Sequence, residues 1–145
     1  MMKIRKGKLN DLEELHFILN NTKELHGEKN NPEQYPRRWI KIVLKDKTTS
    51  VLIAEEKNKL AGFFIAEFDK KTKSSYLVDI FVKPEYRKKE FASKLLKEYE
   101  KLCREKGIDE LTTLVLTDNK KMQSFMKKYN YRQGNKFFYY SKKLK

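Results

Sequence analysis

A basic turn lies between a predicted strand and a predicted long helix, in residues 82–96 (VKPEYRKKEFASKLL). The first amide N–H groups of a helix have no partners within the helix, and they lie at the positive end of its macrodipole. Arg87, Lys88 and Lys89 add positive charge to this turn. Together these features predict an anion site, and a phosphate or pyrophosphate is the ligand expected on physical grounds.

Other catalytic chemistries find little support. His16 and His26 have no acidic partners at ligand spacing, so no metal site is predicted. The single cysteine, Cys103, lies on an apolar helix stripe and is predicted to be a core residue. The chain has neither a Gly-x-Ser-x-Gly elbow nor a Gly-x-x-x-x-Gly-Lys loop, which excludes hydrolases and nucleotide enzymes built on those motifs.

The elements that hold the basic turn follow from hydrophobic periodicity. Strands are predicted at 3–5, 51–55, 60–68, 76–82 and 111–116, and 132–144 is predicted to be a terminal strand pair or hairpin. The strand at 111–116 (LTTLVL) is nearly all apolar, which predicts burial on both faces. Lys57 and Asn58 form a predicted turn, and 69–75 is a predicted loop between strands.

Helices separate these strands. The first is predicted to start at Asn10 in a capping-box-like arrangement with Glu13, and the second spans 37–45. A long helix over 91–106 is capped by Gly107, and a last helix starts at Asp118 or Asn119. The fold class is therefore α/β (α+β), a mixed, mostly antiparallel sheet of six to seven strands with about four helices on both faces, in one domain over 1–145.

Charge is unevenly distributed along the 145-residue chain. The net charge is +14, and residues 119–145 hold nine basic side chains and no acidic one. A basic segment attracts nucleic acid, acidic lipid or a phosphorylated cofactor, although a lysine-rich proteome explains the total equally well. One cysteine, and no apolar run of signal-peptide or membrane-spanning length, predict a soluble cytoplasmic protein.

The motifs around the basic turn resemble those of the GNAT superfamily of N-acetyltransferases. Its V-x-P-x-Y-R signature matches 82–87, and its following R/Q-x-x-G-x-G/A loop matches 87–92. Asn119, with Asn130 and Tyr131 closing the last helix, matches a later family pattern. The chain departs from the family at Glu90, which replaces the usual loop glycine, and at Met126, which replaces the usual acid tyrosine.

The resemblance implies that acetyl-CoA is the cosubstrate, without a metal. It implies a V-shaped splay between strands 76–82 and 111–116, with the pantetheine arm paired to the first strand and the pyrophosphate on the helix amides. Asn119 would bond the pantetheine or an ordered water. The implied cofactor-binding residues are Ile80, Phe81, Val82, Arg87, Lys88, Lys89, Glu90, Phe91, Ala92, Ser93, Asn119 and Met126.

Two residues are candidates for catalysis under this resemblance. Asp79, beside the thioester end of the strand, is the candidate base, and a solvated strand residue or salt-bridge partner is the equally weighted alternative. Tyr129, one turn after Met126, is a substitute acid or a core residue. The acceptor is an amine of a small molecule, a protein N-terminus or a lysine, entering past 26–35 and the terminal strands. Trp39 and 137–140 could line that cleft.

A second hypothesis assigns the chain the same fold but no catalytic activity. Glu90, Met126 and the basic segment 119–145 also fit a degenerate GNAT-like domain that binds CoA or nucleic acid as a regulatory module. No nucleic-acid motif accompanies them. A terminal strand at an exposed sheet edge could also pair two copies into a homodimer.

Overall fold

The computed structural model describes residues 2–27 and 33–145, and within them a single five-stranded sheet with strands in chain order. The first four strands are antiparallel and the fifth is parallel to the fourth. The strands are β1 (Met2–Lys6), β2 (Thr49–Glu56), β3 (Lys59–Asp69), β4 (Ser74–Val82) and β5 (Glu110–Thr113).

Helices cover both faces of the sheet, as predicted. The helices are α1 (Leu12–Asn21), α2 (Arg37–Lys45), α3 (Phe91–Glu105) and α4 (Lys120–Lys128). The helices α1 and α2 pack on one face in a core that includes Leu15, Ile40 and Phe63. The helices α3 and α4 pack on the other face, around Phe64 and Tyr99. No helix in the described ranges has the length and apolar character needed to cross a bilayer.

Local backbone conformation explains why one turn and one helix end were predicted correctly. Lys57 and Asn58 have φ of 53° and 63°, the left-handed pair that a two-residue hairpin turn requires between β2 and β3. Gly107, at φ 73°, ends α3, and the next amide, of Ile108, donates to the Cys103 carbonyl at 2.9 Å.

Three predictions about elements were wrong. The sheet has five strands because 132–144 forms no strand pair, and residues 132–145 form neither helix nor strand and are exposed. The fifth strand ends at Thr113, and Leu114 is 70% exposed, because no further strand covers its outer edge. Asn10 does not cap α1, since a 3-10 turn precedes that helix and the Asp11 carboxylate accepts from the Lys8 amide at 2.8 Å.

Candidate functional site

The neighbouring strands β4 and β5 separate partway along their length. They are paired only where Ser74–Leu77 faces Glu110–Thr113, while β4 runs on to Val82 and stays paired with β3 on its other edge. The predicted V-shaped splay is therefore present. From Val78 onward, no strand of the described chain lies beside this edge of β4. The main chain of Ile80, Phe81 and Val82 lies in this unpaired half of the strand.

A β-bulge marks the point of separation. In the β3–β4 ladder Asp79 faces Ile65 while Leu77 faces Ala66, so Val78 is an extra residue. A bulge of this kind bends a strand and increases its twist, and it reverses the alternation of side chains. Asp79 consequently lies opposite Ile65, on the face covered by α1 and α2, and Ile80 returns to the α3 face.

Asp79 is a buried carboxyl with an unsatisfied oxygen. The residue is 8% exposed, and its Oδ2 has no hydrogen-bond partner among the described residues. Burial raises the pKa of the Asp79 carboxyl to about 8, because the charged form loses its hydration. A buried polar atom without a partner is unusual and points to a ligand, a water or a proton-transfer role.

Two phenols, those of Tyr35 and Tyr76, lie near this carboxyl. Burial, and then the nearby Asp79 charge, raise the pKa of both Tyr35 and Tyr76, and Tyr139 adds a smaller effect on each. The Tyr35 hydroxyl donates its one proton to the Leu25 carbonyl at 2.6 Å, which leaves Asp79 Oδ2 unbonded. The Tyr35 ring also lies 5.2 Å from that of Trp39.

The basic turn follows β4 directly. A short 3-10 helix, Pro84–Tyr86, connects the strand to the loop, and the Arg87 Nε donates to the Val82 carbonyl at 2.9 Å. The Arg87 guanidinium lies 5.6 Å from the centre of the Phe81 ring. These two contacts fix the loop to the unpaired end of the strand.

The first amides of α3 are free. Among the described residues, no amide from Lys88 to Ser93 donates a hydrogen bond, and the first helical bond runs from the Lys94 amide to the Glu90 carbonyl at 3.0 Å. The Tyr86 ring stacks on Phe91 at 5.7 Å and holds the start of the helix against the turn. This run of free amides is the geometry that binds a phosphate or pyrophosphate.

Glu90 adopts the conformation that glycine usually provides. Its φ is 64°, in the left-handed region, and Lys88 has a φ of 68°. The Glu90 side chain is exposed and makes no capping bond, so it does not occupy the amides. The substitution therefore costs backbone strain, roughly 1–2 kcal/mol, without blocking the site.

The residues predicted on α4 are placed differently from one another. Asn119 is the N-cap, and its Oδ1 accepts from the Met122 amide at 3.2 Å. Met126 is 6% exposed and belongs to the α3-side core. Tyr129 packs on the same core, with its ring 5.0 Å from that of Phe125. Tyr129 and Asp79 therefore pack against opposite faces of the sheet.

Sequence reasoning missed Tyr35, Tyr76 and the bulge at Val78. No motif marks them, because Tyr35 and Tyr76 come near Asp79 only once the chain has folded and the bulge has formed. Part of the predicted acceptor loop, 28–32, lies outside the described residues. The described residues contain no group of three or more potential metal ligands.

Comparison with known proteins agrees with this geometry. The PaiA N-acetyltransferase from Thermoplasma acidophilum, solved with coenzyme A, is 25% identical with a TM-score of 0.78, covering 89% of this chain and 88% of that one. AAC(6')-Iy, solved with a bisubstrate analogue built on CoA, is 19% identical with a TM-score of 0.75, covering 99% of each chain. A ribosomal-protein-alanine N-acetyltransferase from Brucella melitensis biovar Abortus is 17% identical with a TM-score of 0.70, covering 100% of each chain.

A search of curated proteins found no match. The profile of the acetyltransferase (GNAT) family, in contrast, matches residues 12–131, which include the splayed strands, the basic turn and the start of α4. The chain therefore belongs to the GNAT acetyltransferase family, whose members use acetyl-CoA.

Proposed function

We propose that this chain is a cytoplasmic N-acetyltransferase that transfers the acetyl group of acetyl-CoA to a primary amine by direct attack in a ternary complex. The observation that supports this most strongly is the run of free amides from Lys88 to Ser93 beside the unpaired end of β4. The free amides can accept a diphosphate, and the unpaired strand edge can accept an extended arm that carries amide groups.

The parts of acetyl-CoA are assigned to residues in sequence order along the splay between β4 and β5. The pantetheine arm pairs with the main chain of 80–82, and the pyrophosphate lies on the amides of 88–93 with Arg87 beside it. Asn119 Oδ1 already caps α4, so its Nδ2 is the group left to donate to the pantetheine or a water. Met126, buried in the core, supplies only apolar support beneath the arm.

Asp79 is the proposed base. With a pKa near 8 it exchanges a proton readily with an amine close to neutral pH. The amine nitrogen attacks the thioester carbonyl, its proton passes to the Asp79 carboxylate directly or through a water, and the C–S bond breaks. A main-chain N–H on the unpaired edge of β4 stabilises the oxyanion.

The leaving thiolate needs little help. A free thiol has a pKa of about 8.5, so protonation of the thiolate by water is sufficient. Tyr129 is the alternative acid, although it packs against the face opposite Asp79. We expect Tyr129→Phe to lower kcat modestly, about 10-fold or less, in steady-state assays. An unchanged kcat would assign Tyr129 to packing alone.

The acceptor is a primary amine of a small molecule, a protein N-terminus or a lysine side chain. AAC(6')-Iy was solved with a CoA–acetylneamine conjugate and the Brucella relative is named for a protein-alanine acceptor, so both acceptor types occur on this fold. The proposed entry lies on the α1/α2 side of the sheet, where Asp79 and its phenols are.

Calorimetric titration with acetyl-CoA, followed by mass spectrometry of a mixed amine panel, tests the proposal. We expect saturable binding at one site. We also expect the mass of an amine to increase by about 42 Da, because an acetyl group replaces one hydrogen. Ala92→Glu, which places a carboxylate on the first helical turn, should abolish binding without unfolding the protein. An absence of acetyl-CoA binding in the wild type would overturn it.

The degenerate module remains the second candidate because Met126 is buried and residues 132–145 are exposed and basic. Saturable CoA binding with no product from any amine would favour it. Salt-dependent retention on a polyanion, with binding falling steeply as salt rises, would extend it to nucleic acid.

A further inference from the structure

The outward side of α2 combines positive charge with one exposed aliphatic side chain. The helix holds four basic residues and no acidic one, and its buried side chains, Ile40 and Val43, belong to the core beneath it. Four exposed residues spaced i, i+3, i+4 and i+7 form the opposite side, the α2 face: Arg38, Lys41, Ile42 and Lys45. The Ile42 side chain is 52% exposed between the three cations.

The three cations of the α2 face have no partners within the described chain. None of them forms an ion pair there, whereas Arg37, at the start of the same helix, is bonded to Glu13 at 2.8 Å. The charges of this face are therefore available to a molecule that approaches from solvent.

A shallow depression gives the α2 face its shape. It is lined by Lys41, Ile42, Lys45 and Asp46. A single exposed isoleucine is common on protein surfaces, but this one lies in a concave site whose other walls include the aliphatic stems of two lysines. One apolar side chain can enter the depression while anionic groups on either side of it reach the cations.

Charge complementarity limits what can cover this face. The occupant must be acidic, and the nearest acidic helix, α1, has its Glu13 and Glu14 carboxylates bonded to Arg37 and Lys83. The exposed residues 132–145 carry only basic charges. A second copy of the chain has the same net charge of +14 and is repelled. The occupant is therefore a different, acidic molecule.

The size and the ends of the face favour a single peptide segment. Seven helical residues separate Arg38 from Lys45, a span of about 10 Å. A carboxylate lies at each end, that of Glu13 beside Arg37 and that of Asp46 directly after Lys45. These carboxylates repel the extended phosphate array of a nucleic acid or of an anionic bilayer. A peptide can instead place its carboxylates on the cations alone.

We infer that the α2 face binds an acidic peptide segment of another protein, with one apolar side chain of that segment in the depression beside Ile42. The cations speed the encounter and select an acidic partner, and the apolar anchor slows dissociation. The inference does not depend on the proposed enzymatic activity.

Fluorescence anisotropy with the full chain tests the role of charge. The probe is a fluorescein-labelled, glutamate-rich peptide with one central leucine, and we expect saturable binding. Lys41→Glu with Lys45→Glu should weaken this binding at least about tenfold, because two cations near the peptide carboxylates become anions. The matched control is Lys97→Glu with Lys101→Glu, which makes the same change at the same i, i+4 spacing on exposed positions of α3. At physiological salt the control should alter the affinity less than about twofold.

A second comparison tests the apolar anchor. Ile42→Ser should weaken binding of the leucine peptide about three- to tenfold and leave unchanged the binding of a peptide with serine in place of leucine. The inference is overturned if the wild type does not bind the leucine peptide, if both lysine pairs weaken binding equally, or if Ile42→Ser affects both peptides alike. It is also overturned if Lys41→Glu with Lys45→Glu weakens binding of single-stranded RNA or of phosphatidylserine vesicles more than that of the peptide.

Discussion

The polar groups at the two ends of β4 differ in whether their hydrogen bonds are satisfied. At the Ser74–Leu77 end both edges are paired, and the Ser75 hydroxyl donates to the Glu67 carbonyl at 2.7 Å while accepting from Tyr99 at 2.8 Å. At the end that begins with Asp79, one edge is unpaired and the buried Asp79 Oδ2 has no partner. The extra residue Val78 lies between these two ends.

The difference shows how one strand can provide both stability and a candidate site. A satisfied buried network rigidifies a core, whereas an unsatisfied group raises the free energy of the folded state and is retained where function needs it. The bulge keeps the two ends apart, because it ends the pairing with β5 while the pairing with β3 continues. Four variants, one of them a double substitution, test this contrast.

Asp79→Asn is expected to have the largest effect. Removing the proposed base should lower kcat/KM by about 10²–10⁴-fold in steady-state assays. In the wild type kcat/KM should rise with pH to a plateau above about pH 8, since only the deprotonated carboxylate acts as a base, and this rise should vanish in the variant. The control is Ser75→Ala at the paired end, which should lose about 1–3 kcal/mol of stability but keep its activity.

The stability of the Asp79→Asn variant provides a second test, of whether the buried Asp79 carboxyl is neutral. The folded-state pKa lies above the unfolded value, so the unfolded chain releases a proton that the folded chain keeps, and Asp79 destabilises the fold increasingly as pH rises from about 4 to about 8. Asp79→Asn should therefore raise the Tm at pH 8 more than at pH 5. An equal change at both pH values would contradict a buried neutral carboxyl.

Reversing charge in the basic turn should have the next largest effect. Arg87→Glu with Lys88→Glu is expected to weaken acetyl-CoA binding about 10- to 100-fold in calorimetry, because two cations near the diphosphate become anions. Lys70→Glu with Lys71→Glu makes the same charge change in the exposed turn before β4 and should leave the affinity unchanged. Equal weakening by both pairs would indicate a long-range charge effect rather than a site.

Gly62→Ala should destabilise the unpaired end of the strand. A Cβ at Gly62 would lie 2.5 Å from the Phe81 carbonyl oxygen and 3.1 Å from the Val82 Cα, so β3 and β4 would have to move apart. Chemical denaturation should show a loss of about 1–3 kcal/mol. Gly134→Ala meets nothing within 4 Å and serves as the control. If both variants unfold alike, the close approach of the strands is not limiting.

Glu90→Gly should have the smallest effect, and it should be favourable. Glycine adopts a φ of 64° without strain, although it gains entropy in the unfolded chain, so the net increase in stability is about 0.5 kcal/mol. Loss of the nearby carboxylate should also tighten acetyl-CoA binding about two- to fivefold. Weaker binding would mean that Glu90 itself contacts the ligand.

The sequence predicts those features that local rules determine. Alternating and helical patterns located β2, β3, β4 and α3 to within a few residues, and the turn at Lys57 and Asn58 formed as expected. The basic turn was found because strand, cations and helix start are adjacent in sequence. Its predicted role with acetyl-CoA stays a prediction until the titrations above.

Features that depend on distant partners were not predictable. No glycine or proline in the sequence indicates the bulge at Val78, because the bulge results from the register between β4 and β3. Tyr35 meets Asp79 across more than forty residues of chain. The apolar run 111–116 predicts a buried strand, but burial needs a neighbour on both edges, and in the described residues β5 is the edge strand of the sheet.

The contact between Tyr35 and Trp39 has a practical consequence. Trp39 is the only tryptophan in the chain, and its ring lies 5.2 Å from the phenol that flanks the buried carboxyl. Its indole emission, excited selectively at long ultraviolet wavelengths, should therefore report on the proposed acceptor side without any attached dye. Rapid mixing with candidate amines could then time their arrival separately from that of the thioester.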